Sequence, residues 1–202
     1  MSPTGPVDQS RRILALRLSA LALFPLVLLA KPIWLDTFAA GALEQIGALL
    51  IVAGVIGRFW SILYIGGRKN ELVVQDGPYS ICRHPLYLFS TVAITGFALM
   101  LQSVVLAVLL VGTTFAILSF TARREELYLL SAFGPDYRDY MARVPRILPD
   151  PTLFRSDPEV TFSVATLRRN FADSLVFLLL IPVAECLESV RGSLLLPLIP
   201  IY

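Results

Sequence analysis

Long apolar runs constrain this chain more than any other feature of its sequence. The first run, residues 13–30, reaches roughly 27 Å at about 1.5 Å per residue, which nearly spans a hydrocarbon core of about 30 Å. A second run covers residues 43–65, and a third, residues 86–120, is interrupted only by Gln102-Ser103. The third run is too long for a single span, so it predicts two short antiparallel helices joined by a tight turn.

The composition indicates a membrane protein and excludes other classes. Hydrophobic residues make up 56% of the 202 residues and charged residues 16%, well below the roughly 25% of a soluble domain. The formal net charge of +2 is too small to indicate nucleic-acid binding. Cys82 and Cys186 form no metal-type or redox-type pair, and no metal site is predicted. We expect one all-α membrane domain, residues 1–202, with four to five transmembrane helices.

The basic residues are distributed unevenly along the chain. If the N-terminus is cytoplasmic, residues 1–17, 58–84 and 121–170 lie on the same side of the membrane, and they hold 15 of the 17 basic residues. Cytoplasmic segments of membrane proteins carry an excess of Lys and Arg. This pattern predicts a multi-pass protein of the inner or plasma membrane, with its N-terminus and its active site on the cytoplasmic side.

Small residues and one charge mark the second apolar run. Gly47, Gly54 and Gly57 lie in it, and Ala53 and Gly57 have the spacing that lets membrane helices approach closely. Arg58 interrupts the run about two turns before its end. An arginine in a membrane helix is either functional or extends its long side chain to the interface. We favour the second interpretation but keep Arg58 as a candidate substrate-binding residue.

Two segments beyond these runs are polar. Residues 68–84 predict a loop, because the Asp-Gly-Pro sequence at 76–78 cannot continue a helix. A polar, aromatic-rich helix is expected at residues 121–133, and a short helix is expected to follow it at residues 136–143.

The C-terminal part of the chain has a mixed pattern. Residues 145–158 contain four prolines and predict a link between helices. The apolar stretch that follows contains Asp173, Pro182 and Glu185, which do not suit a plain spanning helix. We expect residues 157–202 to form a kinked fifth helix, a re-entrant segment or a lid over the site.

Two polar clusters lie at helix ends on the predicted cytoplasmic side. The first consists of Gly77-Pro78-Tyr79 and Arg83-His84-Pro85-x-Tyr87. The second consists of Glu125-Glu126 and Phe133-Gly134-x-x-Tyr137-x-x-Tyr140-x-x-Arg143-Val144-Pro145. A ligand between the two clusters would meet cations, two carboxylates and several tyrosines.

Together, these motifs resemble the superfamily of isoprenylcysteine carboxyl methyltransferases and phospholipid methyltransferases. Their order and spacing both match, and the resemblance covers roughly residues 45–149, the motif-bearing core of the domain. The superfamily consists of membrane-embedded enzymes that convert S-adenosylmethionine to S-adenosylhomocysteine. The resemblance therefore implies methyl transfer to a lipid-like or prenylated acceptor in the membrane.

The resemblance also implies roles for individual residues, because the Arg-His-Pro segment and the Glu-Glu pair bind the cofactor in the superfamily. The implied cofactor-binding residues are Tyr79, Arg83, His84, Tyr87, Glu125 and Glu126. The arginine before Val-Pro is associated with the substrate carboxylate, which implies a catalytic and substrate-binding role for Arg143. Tyr137, Tyr140 and Arg58 are further candidates for substrate contact, although the two tyrosines also suit anchors at the membrane interface.

The residue types in the clusters suit S-adenosylmethionine. A carboxylate suits its amino group or its ribose hydroxyls, an Arg or His suits its carboxylate, and aromatic faces suit the adenine and the sulfonium. Methyl transfer needs an acceptor held in line with the methyl group, in a site that excludes water. A pocket at the membrane edge would let a lipid substrate enter sideways.

Several functions stay open. Isoprenylcysteine-type carboxyl O-methylation is favoured because of Arg143, and phospholipid (ethanolamine) N-methylation comes next. Eukaryotic isoprenylcysteine enzymes tend to have a Gly-Trp pair where Leu88-Phe89 stand here, and they have more N-terminal helices. Both departures count against a prenylated-protein substrate. An NADPH-dependent sterol-type reductase and a non-catalytic membrane scaffold are the remaining alternatives.

Overall fold

The structure is a computed structural model that describes residues 9–32, 38–66, 72–193 and 199–201. In these residues the chain forms eight α-helices and two short strands that pair in parallel. The elements are α1 (Gln9–Leu29), β1 (Ala30–Pro32), α2 (Phe38–Ile65), α3 (Pro78–Ile81), α4 (Pro85–Met100), α5 (Val104–Phe133), α6 (Pro135–Arg143), α7 (Val164–Leu175), α8 (Leu180–Ser193) and β2 (Ile199–Ile201).

Four helical segments within the described ranges are long and apolar enough to cross a membrane. They cover Ser10–Leu29, Phe38–Ile65, Val104–Phe133 and Asn170–Arg191. The apolar α4 has 16 residues, so it reaches roughly 24 Å and spans less of the bilayer. The predicted all-α integral membrane bundle with four to five helices is confirmed.

Glycines bring the backbones of α2 and α4 close together. Gly47 and Gly96 face each other, and a Cβ on Gly47 would lie 2.6 Å from the carbonyl oxygen of Gly96. Further along, a Cβ on Gly54 would lie 2.8 Å from the Cβ of Ala93. Because no side chain larger than hydrogen fits at these positions, α4 lies directly against α2.

The predicted Ala53–Gly57 packing pair is half wrong. Gly57 does face α4, where it lies against the ring of Phe89. Ala53 is exposed, so it does not take part in the contact with α4. Gly47, Gly54 and Gly57 are spaced seven and three residues apart, so they lie on one face of α2 and contact α4.

The apolar run at residues 86–120 divides where the sequence predicts. α4 ends at Met100, and Gln102 adopts a φ of +55° in the turn that follows. The Ser103 hydroxyl then accepts a hydrogen bond from the Leu106 N–H at 3.3 Å, which caps the start of α5.

The expected separate helix at residues 121–133 is wrong, because α5 continues unbroken from Val104 to Phe133. Residues 121–133 contain no Gly or Pro, and most of them are strong helix formers. With 30 residues, α5 is about 45 Å long, which exceeds the hydrocarbon thickness. Its last turns therefore carry Glu125 and Glu126 to the membrane edge.

Two Gly-Pro sequences begin the short helices that carry the polar clusters. Gly77, with φ +57°, precedes Pro78 at the start of α3, and Gly134, with φ +56°, precedes Pro135 at the start of α6. Glycine tolerates a positive φ, and proline suits the first turn of a helix. Part of the expected loop is therefore helical, and its residues 68–71 lie outside the described part of the chain.

The proline-rich segment after α6 is more than a link between helices. We term residues 145–155 the strap, because they lie along the first polar cluster. Four main-chain hydrogen bonds join them: Arg83 N to Pro145 O (2.9 Å), His84 N to Arg146 O (3.0 Å), Asp150 N to Ile81 O (2.9 Å) and Gly77 N to Arg155 O (2.8 Å). The strap thereby fixes the backbone from which the first cluster projects.

The C-terminal part forms a kinked helix. A 3₁₀ turn, Val176–Leu179, joins α7 to α8. Pro182 lies in the first turn of α8 and cannot donate to the carbonyl of Leu178, which explains the change in helix geometry. Ala184 and Leu187 of α8 pack in an apolar cluster shared with α1 and α4.

Candidate active site

The two polar clusters line one open cavity at the ends of α2, α4 and α5. The cavity has a volume of about 200 Å³ and is partly open to solvent. Its polar lining residues are Arg12, Tyr79, Arg83, His84, Tyr87, Glu125, Tyr128, Tyr137 and Tyr140. The structure thus brings together seven of the predicted site residues, while Glu126, Arg143 and Arg58 are not among the described lining residues.

Glu126 lies behind the wall of the cavity and is only 3% exposed. Its carboxylate is 2.9 Å from Arg83 Nη2 and 2.6 Å from Arg146 Nη2. Arg146 Nε also donates to it at 2.8 Å, and this hydrogen bond raises the pKa of Arg146. Two guanidinium groups therefore neutralise one buried carboxylate, which holds Arg83 in the cavity wall. His84 Nε2 lies 3.4 Å from the same carboxylate.

Glu125 faces the cavity, unlike its neighbour in sequence. The hydroxyl of Tyr87 donates a hydrogen bond to Glu125 Oε2 at 2.8 Å, and His84 Nδ1 lies 3.7 Å from the same oxygen. Arg12 Nη1 donates to the Tyr87 hydroxyl at 2.8 Å, and its guanidinium lies over the Tyr87 ring. The rings of His84 and Tyr87 are parallel, with centroids 5.3 Å apart. Side chains from α1, α4 and α5 thus form one connected polar wall.

The tyrosines of the second cluster are buried inside the protein. Tyr137 and Tyr140 are each 2% exposed, so they are not anchors in the lipid interface. The hydroxyl of Tyr140 donates to the main-chain carbonyl of Tyr79 at 2.7 Å, which joins α6 to α3. Burial raises the pKa of all three tyrosines above the ordinary value, so their hydroxyls stay protonated and can donate hydrogen bonds.

Three buried atoms of the cavity wall make no hydrogen bond within the described part of the chain. They are the hydroxyl oxygen of Tyr79, Nε of Arg83 and Nε2 of His84, the last of which faces the Glu126 carboxylate at 3.4 Å. A buried polar group without a partner costs about 1–3 kcal/mol, so the Tyr79 hydroxyl indicates a ligand that satisfies it. Together with the Glu125 carboxylate and the Arg83 guanidinium, this donor and acceptor set fits the amino-acid and ribose groups of S-adenosylmethionine.

Arg143 lies at the exposed end of α6. Its Nη2 donates to Gln75 Oε1 at 2.9 Å, and Arg155 Nη2 donates to the same oxygen at 3.2 Å. In this arrangement Arg143 joins α6 to the segment before Gly77 and to the strap. Its predicted catalytic role stays a prediction.

Arg58 lies between α2, α4 and the C-terminal helix. Its Nη1 donates to Ser90 Oγ at 2.5 Å, and its guanidinium lies 4.8 Å from the centre of the Phe177 ring. The side chain is half-buried and directed into the bundle. Neither interpretation from the sequence, substrate contact or extension to the interface, is tested by this position.

Cys82 adjoins the first cluster but does not have the features of a nucleophile. The residue is fully buried, and burial raises the pKa of its thiol to about 12. The thiol therefore stays protonated, whereas nucleophilic cysteines require the thiolate. Within the described ranges, no group of three or more His, Cys, Asp or Glu could hold a metal ion.

Sequence reasoning missed three residues of the site. Arg12 was considered only as one of the basic residues that orient the chain, because it lies 75 residues from Tyr87. Arg146 follows the second cluster and gave no motif signal of its own. Tyr128 could have been found, since it follows Glu125 by three residues and shares its helix face.

Comparisons with known proteins identify relatives of this chain. The phospholipid methyltransferase family matches residues 43–136. The chain is 40% identical to the nickel-cobalt-cadmium resistance protein NccN of Alcaligenes xylosoxydans xylosoxydans, over 81% of this chain and 76% of that protein. It is 36% identical to the cobalt-zinc-cadmium resistance protein CzcN of Cupriavidus metallidurans, over 77% of this chain and 71% of that protein.

A more distant likeness links the chain to characterised enzymes. It is 30% identical to the protein-S-isoprenylcysteine O-methyltransferase of Mus musculus, over 53% of this chain and 41% of that protein. No solved structure matches the chain. The fold is that of a helical membrane protein, and the family match together with these enzymes indicates a methyltransferase. The chain belongs to the superfamily of isoprenylcysteine carboxyl methyltransferases and phospholipid methyltransferases, which confirms the resemblance seen in its motifs.

Proposed function

We propose that this protein transfers a methyl group from S-adenosylmethionine to the head group of a lipid-like amphiphile at the cytoplasmic face of the membrane. The observation that carries this proposal is the cavity that the unpartnered hydroxyl of Tyr79 lines together with His84, Glu125 and Arg83. Membership of a methyltransferase superfamily supports the same reaction class.

Each polar group of the cavity has a role in holding the cofactor. S-adenosylmethionine, when bound, supplies a methyl group made electrophilic by its sulfonium sulfur. Arg83 and His84 bind its carboxylate, and Glu125 binds its amino group or ribose hydroxyls. Tyr79 and Tyr87 offer aromatic faces, and the Tyr79 hydroxyl offers a hydrogen bond. Glu126 does not touch the cofactor but positions Arg83 and His84 from behind.

The remaining lining of the cavity suits an apolar acceptor and excludes water. Its apolar wall includes Leu86, Leu129 and Phe133, from α4 and α5. A site that excludes water prevents water from competing with the acceptor for the methyl group. The protonated hydroxyl of Tyr137 is available to orient the acceptor head group, whereas that of Tyr140 already donates to the Tyr79 carbonyl.

Carboxyl O-methylation of an isoprenylcysteine-type acceptor is the first candidate for the substrate class. The likeness to protein-S-isoprenylcysteine O-methyltransferases favours it. Phospholipid N-methylation is the second, because the matching family is named for that activity. Binding of the acceptor carboxylate by Arg143 would require this side chain to leave Gln75.

We further propose that the methyl transfer supports resistance to divalent metal ions. The two relatives matched over most of their length are named as resistance proteins for nickel, cobalt, cadmium and zinc. A strain that lacks this protein should grow less well in cadmium, and the wild-type gene should restore growth while His84→Ala does not. If His84→Ala also restored growth in cadmium, the resistance would not depend on methyl transfer.

Calorimetric titration of the detergent-purified protein with S-adenosylhomocysteine tests the main proposal. We expect saturable binding by the wild type, loss of binding in His84→Ala, and unchanged binding in Arg124→Met, whose exposed side chain stacks on Phe120 away from the cavity. Binding of NADPH instead would favour a reductase. A folded wild type that binds neither compound would favour the scaffold and contradict the proposal.

A further inference from the structure

The first turn of α1 reaches the cavity through the side chain of Arg12. This side chain is half-buried, its Nη1 donates to the Tyr87 hydroxyl at 2.8 Å, and its guanidinium carbon lies 5.5 Å from the centre of the Tyr87 ring. Leu16, four residues further along and on the same face of α1, packs against the apolar cluster that contains Tyr87. Two side chains of one helix face therefore hold α1 at this tyrosine.

The Tyr87 hydroxyl joins Arg12 to the carboxylate of Glu125. A guanidinium group only donates hydrogen bonds, an ionised carboxylate only accepts them, and a tyrosine hydroxyl has one proton and can also accept. The Tyr87 oxygen therefore accepts from Arg12, and its proton goes to Glu125 Oε2, which lies 2.8 Å away. We term these three side chains the relay. A cation at one end and an anion at the other strengthen both hydrogen bonds.

The relay holds one oxygen of the Glu125 carboxylate and leaves the other for a ligand. In the described part of the chain, the hydrogen bond from Tyr87 and the contact with His84 Nδ1, at 3.7 Å, both fall on Oε2. A glutamate side chain has several rotamers, and ordering it costs conformational entropy. A carboxylate that is already ordered by Tyr87 binds a ligand more tightly, because this cost does not fall on the binding step.

We propose that Arg12 is a positioning residue of the cofactor site. Through the Tyr87 hydroxyl, it orients the Glu125 carboxylate for the amino group or the ribose hydroxyls of S-adenosylmethionine. The inference rests on the proposed methyltransferase function and refines its cofactor site. It extends that site to α1, which lies outside the residues 43–136 matched by the methyltransferase family.

Calorimetric titration with S-adenosylhomocysteine tests whether Arg12 acts through Tyr87. The whole chain is purified in detergent as the wild type, Arg12→Met, Arg12→Lys, Tyr87→Phe and the double variant with Arg12→Met and Tyr87→Phe. Arg11→Met is the matched control, because it removes the same charge from the neighbouring, exposed residue of α1. Thermal unfolding shows whether each protein is folded, and Arg12→Gln, a shorter neutral replacement, is used if Arg12→Met does not fold.

We expect Arg12→Met to weaken S-adenosylhomocysteine binding about three- to tenfold, the contribution of one hydrogen bond, and Tyr87→Phe to weaken it at least as much. Arg12→Lys should recover part of the loss, because an ammonium group can still donate to the Tyr87 hydroxyl. Arg11→Met should bind like the wild type. In the Tyr87→Phe background, Arg12→Met should weaken binding by less than about twofold more, because both residues act through one chain of hydrogen bonds.

Two results would overturn the relay in a wild type that binds S-adenosylhomocysteine. One is that Arg12→Met binds this compound as tightly as Arg11→Met does. The other is that Arg12→Met causes the same loss of affinity in the Tyr87→Phe background as in the wild type, since Arg12 would then act without Tyr87. A folded wild type that does not bind S-adenosylhomocysteine would overturn the proposed function itself, and this inference with it.

Discussion

Glu125 and Glu126 are neighbours in sequence but have different surroundings. Glu126 is 3% exposed and neutralises Arg83 and Arg146, whereas Glu125 is 21% exposed and accepts from the Tyr87 hydroxyl in the cavity wall. One carboxylate therefore maintains the site, and the other is available to a ligand.

The two glutamates should respond differently to loss of charge. Glu126→Gln leaves the buried Arg83 and the partly exposed Arg146 without their shared counter-ion, so we expect it to lower the free energy of unfolding by about 3 kcal/mol and to weaken S-adenosylhomocysteine binding. Glu125→Gln should weaken binding by a similar factor but lower stability by less than about 1 kcal/mol. Thermal unfolding in detergent and calorimetry measure both quantities. Equal loss of stability in the two variants would contradict these roles.

Two buried tyrosine hydroxyls offer a matched comparison. Tyr140→Phe removes the hydrogen bond to the Tyr79 carbonyl and should lower the free energy of unfolding by about 1–2 kcal/mol. Tyr79→Phe removes a hydroxyl that has no partner in the described structure, so stability should not fall, but S-adenosylhomocysteine should bind more weakly. If Tyr79→Phe binds this compound as tightly as the wild type, the Tyr79 hydroxyl is not a ligand-binding group.

At the scale of elements, the corner between α5 and α6 depends on one glycine. Gly134→Ala meets no neighbouring atom within 4 Å, but φ is +56° there, so we expect a loss of about 1–3 kcal/mol in the free energy of unfolding. Gly112→Ala, on the same helix and equally open, should raise stability by up to about 1 kcal/mol. Equal effects in thermal unfolding would show that backbone strain at Gly134 is not the cause.

The sequence predicted individual elements better than their continuity. The turn at Gln102-Ser103 was predicted because polar residues interrupt an apolar run, and the structure confirms it. α5 was wrongly divided at Thr121 because a change of polarity resembles a boundary, although the backbone has no reason to break there. A change from apolar to polar residues marks the edge of the membrane, whereas a glycine or a proline marks the end of a helix.

At the scale of the whole molecule, the position of Arg12 relates α1 to the site. Because this residue lines the cavity from the start of α1, the N-terminal end of α1 and both polar clusters lie at the same end of the bundle. The excess of basic residues at this end favours a cytoplasmic site. The turn between α4 and α5 lies at the opposite end.

Cysteine labelling tests this topology. In a protein with both native cysteines replaced by alanine, Asp139→Cys on α6 and Val104→Cys beside the α4–α5 turn are both exposed positions. A membrane-impermeant maleimide should label Val104→Cys in intact cells and Asp139→Cys only after the membrane is opened. Labelling of Asp139→Cys in intact cells would reverse the proposed orientation.

The motif residues of the site could be predicted from the sequence, but its long-range partners could not. Tyr79, Arg83, His84, Tyr87 and Glu125 stand in two local motifs, and the structure places them around one cavity. The Arg12 contact joins residues 75 positions apart and follows from how α1 packs on α5. The strap likewise pairs with the first cluster through main-chain atoms, which leave no signal in the residue types.

Methyl transfer by the protein in its own membrane tests the central claim most directly. Membrane vesicles from cells that overproduce the wild type or His84→Ala are supplied with tritiated S-adenosylmethionine, and label in the chloroform-extractable fraction is counted. The account predicts label well above that of vesicles without the protein for the wild type, and no excess for His84→Ala. Equal label in all three preparations, with a wild type shown to be folded and inserted, would contradict it.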